Sequence, residues 1–244
     1  MTIPITYIKA VDFNELYFNL RKREGRHYTD EEVLRLPDIS SSHVYYKEWK
    51  IRRRSCERLV NYLKKKQRSL KILEVGCGNG WLSHRLAETP ESKVIGIDIN
   101  IYELEQAAKI FSEFSNLHFI YGDLRSGLFE NHQFDVIVFA ASIQYFPSLT
   151  DILKIALKLL KEKGEIHILD THFYKPGESE AAKTRSLDYF IKLGIPEMNN
   201  LYFHHPISEL DLFNFKMLYQ PSRRFILKRS DPFPWIVITN EKQA

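Results

Sequence analysis

Residues 71–83 read Lys-Ile-Leu-Glu-Val-Gly-Cys-Gly-Asn-Gly-Trp-Leu-Ser: an apolar strand runs into Gly76, Gly78 and Gly80, and an amphipathic helix follows at once. Glycines at a strand-to-helix turn permit left-handed backbone and omit the Cβ atoms that would hold a ligand off the main chain. A ligand can therefore lie against the loop, at the carboxyl edge of a parallel sheet. Glu74 narrows the choice of ligand. A carboxylate two residues before the first glycine repels a pyrophosphate and suits a cationic or amino-bearing group. A dinucleotide fingerprint would also place glycine where Trp81 stands, which argues against a nicotinamide-linked oxidoreductase. A second short apolar strand, 94–98, ends in Asp98, 22 residues past Gly76. An acid at that strand tip can accept both hydroxyls of a ribose. The three features together describe a nucleoside site.

Glu74-Val75-Gly76-Cys77-Gly78-Asn79-Gly80 resembles the first motif of the class I S-adenosyl-L-methionine-dependent methyltransferases, (Glu/Asp)-x-Gly-x-Gly-x-Gly, at every fixed position. Downstream, Tyr121-Gly122-Asp123-Leu124 ends a third strand, and Phe134-Asp135-Val136-Ile137 opens a β-branched run that closes on the small residues Ala140, Ala141 and Ser142. The resemblance covers about residues 70–173. It implies that S-adenosyl-L-methionine is the cofactor and S-adenosyl-L-homocysteine the product. The implied contacts are Glu74, Gly76, Cys77, Gly78 and Gly80 in the loop, and Asp98 with Ile99 at the ribose. Asp123 and Leu124 would meet the adenine, and Ala140 and Ser142 would make room for the methionine part. Asp135, near the start of its strand, reads as structural, because that end of the sheet lies away from the ligand.

Methyl transfer from a sulfonium mainly requires an acceptor aligned behind the methyl carbon. An oxygen or nitrogen acceptor that carries a proton also benefits from a general base. His172, at the carboxyl end of the fifth strand, and Tyr145, after the fourth, are the expected catalytic side chains. Gln144-Tyr145 stands where many relatives show Glu-His, which leaves the base open. The Asn/Asp-Pro-Pro-aromatic tetrad of nucleic-acid amino-methyltransferases, the nucleophilic cysteine of cytosine-C5 enzymes and the paired glutamates of protein-arginine enzymes are all absent from 140–148. A small-molecule acceptor remains, and nucleic acid is disfavoured. A binding module of the same fold without turnover is the alternative.

The elements that must position these residues alternate between strand and helix, which predicts a doubly wound, mostly parallel α/β sheet. Expected helices cover 44–63, 81–88, 101–115 and 149–160, the last stopping at Lys161-Glu162-Lys163-Gly164. Expected strands include 165–173, then 215–220 and 234–240 as an antiparallel C-terminal edge pair. The resemblance implies seven strands in the order 3-2-1-4-5-7-6, helices on both faces and an N-terminal helical cap. Residues 1–68 read as a cap or lid segment and 69–244 as the methyltransferase domain, with a substrate-side insertion at 174–214. Tyr189, Phe190, Tyr202, Phe203, His204 and His205 enrich that insertion in rings that can line a pocket. Its His204–His205 region is expected to face the Tyr45–Arg54 region above Ser142 and His172.

Charge is uneven. Residues 1–70 hold 16 Lys and Arg against 9 Asp and Glu, much of the excess in Arg52-Arg53-Arg54 and Lys64-Lys65-Lys66-Gln67-Arg68. Such runs read as a solvated face or as attraction for an acidic partner. The N-terminal residues lack a basic flank before an apolar core, and no apolar run reaches the ~18 residues of a membrane span. With only Cys56 and Cys77, the second inside the glycine loop, a reduced, cytoplasmic compartment is expected and no metal site is recognisable. Oligomeric state is not encoded in any visible pattern.

Overall fold

The computed structural model describes residues 7–221 and 231–240. The reading of the first residues as lacking a leader, and most of the connection between the two C-terminal strands, lie outside them. Seven strands form one sheet: β1 (Lys71–Val75), β2 (Lys93–Asp98), β3 (Leu117–Tyr121), β4 (Phe134–Ala140), β5 (Leu160–Leu169), β6 (Asn214–Tyr219) and β7 (Trp235–Thr239). Their order is β3-β2-β1-β4-β5-β7-β6. The first five are parallel, and β7 runs antiparallel to both β5 and β6. The expected mostly parallel sheet with an antiparallel edge is what the chain forms.

The order follows from burial. Apart from Asp135 near its start, β4 is an apolar run whose residues Phe134, Val136, Ile137, Val138 and Phe139 have no exposure, as a central strand covered on both faces requires. Of the helices, α1 (Tyr7–Arg23), α2 (Asp30–Arg35) and α3 (Tyr46–Lys64) precede the sheet; α4 (Trp81–Ala87) and α5 (Ile101–Ile110) lie within its first half. α6 (Leu149–Leu159) and α7 (Glu178–Lys192) complete the set. Two large apolar clusters divide the core. One joins Trp49, Cys56, Leu59 and Leu63 of α3 to Trp81 and Leu86 of α4 and to Ile72 and Val136. The other joins Leu149, Ile152, Leu153 and Ala156 of α6 to Leu73, Ile137 and Ile166. Trp81 occupies the position of a third fingerprint glycine because its ring meets Trp49 edge-on, centroids 5.2 Å apart, and so fixes α3 on α4.

Several boundaries differ from the sequence reading. α5 ends at Ile110 rather than near 115, because Phe111 and Phe114 both pack against the His84 ring and turn the chain into β3. α6 ends at Leu159, and β5 starts at Leu160 rather than 165, since Leu160 pairs with Phe134 at the foot of β4 ahead of a bulge. The same strand ends at Leu169, which leaves His172 in the loop beyond it.

The arginine run of α3 is neither an open cationic surface nor a simple solvated face. Arg52 pairs with Glu48, Arg53 with Asp38, and Arg54 together with Arg58 with the buried Asp231. Asp135 holds Arg68, Lys161 and the Lys71 amide at the amino edge of the sheet, the structural post expected of it. No described helix is long and apolar enough to cross a membrane.

Candidate active site

The carboxyl ends of β1, β2, β4 and β5 open into a cleft with two halves. Tyr17, Gly76, Gly78, Ala141 and Tyr145 line both. The narrower half is bounded by Asp98, Ile99, Asp123, Leu124 and Ser142. The wider half, about 470 Å³, is bounded by Glu74, Cys77, Ala140 and His172. Of the cofactor-binding and catalytic residues expected from sequence, Gly80 alone lies in neither. It caps α4 in the left-handed region (φ 74°), and a Cβ there would meet the Phe119 ring at 2.6 Å.

The glycines thus differ in purpose. A Cβ on Gly76 would stand 2.5 Å from Ser142 Cβ, so its bareness serves the junction of β1 and β4. Ser142 closes that junction by donating its hydroxyl to the Val75 carbonyl at 2.6 Å. Gly78 (φ 52°) is different: a Cβ would meet only the flexible Glu103 carboxylate within 4 Å, so the loop is open there toward the cleft. Its amide donates to Asp98 Oδ2, and the Asn100 amide donates to Oδ1, each at 2.7 Å. These two bonds aim Asp98 across the loop.

Burial dominates the electrostatics. Glu74, 2% exposed, is pushed up to about 8 by desolvation, against the opposing hydrogen bond from Ser83. Desolvation likewise lifts Asp98 to about 6, against the two amide bonds. Burial also pushes Asp123 up, but Arg125 grips both its oxygens and the balance holds it below the ordinary carboxylate range. Desolvation drives the Tyr145 phenol far above its usual value; its ring stands edge-on to Phe13, Tyr17 and Tyr202, at 5.4 to 5.8 Å. Tyr145 can therefore donate a hydrogen bond at neutral pH but has no charge to accept a proton with.

An N-terminal cap is expected from the sequence, but none of the side chains of α1 that roof the cleft carries a sequence signal. Phe13 and Tyr17 of α1 line the narrow half, and Arg21 reaches over the loop to Glu103 at 3.3 Å. α1 is anchored at its far end by Leu20, which packs on Phe190, Ile195 and Met198 of the insertion. Glu48 on α3 takes a bidentate grip from Arg26 and a third contact from Arg52; burial raises its pKa, the two guanidiniums outweigh that, and it falls to about 2. The wide half is lined by Tyr189, Phe190, Tyr202 and Phe203 of the insertion and by Trp49 and Arg52 of the 45–54 region. His204 and His205 do not line it. They turn inward, His204 to the Ser186 hydroxyl at 2.8 Å and His205 to the Ile143 carbonyl at 3.3 Å, because this stretch ties α7 to the end of β4. Asp170, one residue past the end of β5, carries no sequence signal of its own, yet it lines the wide half.

Comparison with known proteins agrees with this architecture. The model of a family described as a methyltransferase domain matches residues 66–193. The malonyl-[acyl-carrier protein] O-methyltransferase of Halalkalibacterium halodurans is 30% identical over 146 residues, 56% of this chain and 54% of that one. The sterol 24-C-methyltransferase of Debaryomyces hansenii is 24% identical over 174 residues, 68% of this chain and 44% of that one. The chain thus spans about half the length of the curated relatives it matches. Among solved structures, a candidate S-adenosyl-L-methionine-dependent methyltransferase of Methanococcus maripaludis superposes with a TM-score of 0.53, at 16% identity, covering 88% of this chain and 94% of that one.

Proposed function

The chain belongs to the methyltransferase-domain family, and from that premise we propose that it moves the methyl group of S-adenosyl-L-methionine onto a small-molecule acceptor. The observation that carries the reading is the two-part cleft: a narrow half bounded by two aspartates joins a wide, ring-lined half at the one glycine open to it. The residues fit the cofactor. Asp98 is aimed by two backbone amides toward where a ribose would lie, and Gly78 lets a ligand lie on main chain. Glu74 is a buried carboxyl on the wide half that an ammonium group would ionise. Asp123 and Leu124 close the far end, where an adenine would be held. Cys77, Ile99, Ala140 and Ser142 supply the walls between.

When bound, S-adenosyl-L-methionine supplies an electrophilic methyl carbon on a good leaving group. The protein's own part is then to orient, enclose and manage protons. Tyr145 offers a phenolic donor where the halves meet, and His172 at the mouth helps to seat the acceptor. Residues 1–68 act as the lid of a domain spanning 69–244, and 174–214 forms the acceptor wall. The acceptor belongs to the metabolites rather than to nucleic acid, since Arg52, Arg53 and Arg54 are each paired with a carboxylate of the chain itself.

Asp98→Ala tests the reading. Loss of a charged acceptor for two hydroxyls should weaken S-adenosyl-L-methionine binding by ~1.5–3 kcal/mol in calorimetry, with an unchanged melting profile. Undiminished affinity would remove the assignment. Methyl transfer is then sought across a panel of hydroxyl, amine and carboxylate compounds.

A further inference from the structure

Among the carboxylates of the wide half, three are held by guanidinium groups. Glu103 pairs with Arg21, Glu48 with Arg26 and Arg52, and Glu24 with Arg26 and the Tyr189 hydroxyl. Glu74 faces Ser83. Asp170, like Glu74, accepts from a serine hydroxyl and makes no ion pair among the described residues, and it differs in standing at a strand tip. It stands one residue past the end of β5, beside Ala140 and Ala141 at the end of β4, where the two halves of the cleft join. Its backbone is left-handed (φ 52°), as is that of the neighbouring Ala141 (φ 53°), so both strand ends turn sharply at the cleft. Aspartate tolerates this conformation better than most side chains. The Ser55 hydroxyl of α3 donates to Oδ1 at 2.6 Å, and Oδ2 has no hydrogen-bond partner among the described residues.

We propose that Asp170 is the catalytic base of the transfer, taking the acceptor's proton on Oδ2 while Ser55 holds Oδ1, and that the acceptor is a hydroxyl or amine that carries a proton into the cleft. This rests on the methyltransferase reading above and deepens it. The balance is simple: the acceptor's lone pair forms the new bond to carbon, the carbon–sulfur pair leaves with sulfur, and the acceptor's proton ends on the Asp170 carboxylate and then in water. A carboxylate acceptor has no proton to give at neutral pH and would leave Asp170 without a task.

The surroundings tune the group for the role. Desolvation lifts Asp170 above the ordinary aspartate range; Arg52, the Ser55 hydrogen bond and Arg58 oppose that, and Asp231 adds to it. Cys56 of α3 faces the same carboxyl, but its thiol is itself lifted to about 12 by burial and stays neutral. A base is more effective as its pKa approaches the working pH. The arginine-bound Glu48, at about 2, is a far poorer proton acceptor. His172 is exposed at the mouth, its ring edge-on to Tyr174 at 4.7 Å, farther along the chain from the junction.

The test is Asp170→Asn, which keeps the side chain's shape and suits left-handed backbone. With tritiated S-adenosyl-L-methionine and the compound panel, turnover should be confined to hydroxyl or amine compounds. The variant should lower kcat at neutral pH by ~10²–10⁴-fold and abolish the acidic limb of kcat measured at saturating cofactor, with cofactor affinity within about twofold of the parent. Infrared titration of the ligand-free protein should show a carboxyl above the ordinary ~3.9 that is missing from Asp170→Asn. Ser55→Ala should move that carboxyl, and the acidic limb, to higher pH, and it decides the matter if Asp170→Asn does not fold. The proposal is overturned if Asp170→Asn keeps turnover within about threefold or retains the acidic limb. It is equally overturned if only carboxylates are methylated, or if Ser55→Ala shifts nothing. An unmodified chain without affinity for S-adenosyl-L-methionine would remove the underlying reading instead, a result distinct from all of these.

Discussion

Glu74 is the residue whose charge depends most on what lies beside it. Its pKa in the free protein, about 8, stands above its ordinary 4.5, so the folded chain holds a proton there that the unfolded chain releases. The sign is therefore opposite to that of a salt-bridged acid: this group's contribution to stability falls as pH rises from 4.5 to about 8. Ligand binding has the same linkage. An ammonium group beside Glu74 favours the ionised form, so S-adenosyl-L-methionine affinity should rise between about pH 5.5 and 7.5, by up to ~10-fold per unit. Glu74→Gln should flatten that rise, leaving only the shallower slope from Asp98. Calorimetry at four pH values in two buffers of different ionisation enthalpy measures both affinity and proton release. A pH-independent affinity in the parent chain would mean that no cation sits there. Glu74 and Asp98 were legible because their positions relative to a glycine loop are fixed by backbone geometry. Asp170 and Glu103 were not, because their importance comes from what α3 and α1 bring against them, and no local pattern encodes that.

At the scale of elements, the strand–loop–helix unit from β1 to α4 separates two uses of glycine that look identical in sequence. Gly78 is bare toward the cleft and Gly76 toward Ser142. Gly78→Val should abolish S-adenosyl-L-methionine binding, at a cost in melting temperature set mainly by left-handed strain of ~1–2 kcal/mol. Gly76→Ala adds a 2.5 Å clash to the same strain, so its melting temperature should fall further than that of Gly78→Val although it adds the smaller side chain. The reverse order would show that the two positions have been assigned the wrong way round. The parallel strands were readable because central strands are apolar throughout and glycine or an acid marks their tips. The ends of α5 and α6 were misplaced because tertiary contacts, the His84 ring and the Phe134 pairing, override the helical periodicity that continues past them.

Across the whole molecule, the cleft is roofed by a segment that belongs to no strand ladder. α1 contributes Phe13 and Tyr17 to the narrow half, Arg21 to the salt bridge with Glu103 and Leu20 to the insertion's cluster. Because these rings lie over the narrow half, α1 is predicted to lift for ligand entry and settle for reaction. α2 and the start of α3 differ, because Tyr28, Val33, Leu36 and Trp49 are part of the main core and must stay in place. The hinge therefore falls between Arg23 and Tyr28, where Gly25 takes a left-handed turn (φ 67°) with nothing within 4 Å of its missing Cβ. Adding S-adenosyl-L-homocysteine should slow amide hydrogen exchange in residues 13–23 by ~10-fold or more and leave the centre of β4 unchanged, since the core opens only on global unfolding. Removing residues 1–25 should keep the cooperative melt of the sheet but lower cofactor affinity and end methyl transfer, because the roof that excludes water is gone. Unchanged exchange in α1, or a truncated chain that turns over at the parent rate, would show that α1 is a fixed buttress and that ligands enter by another side.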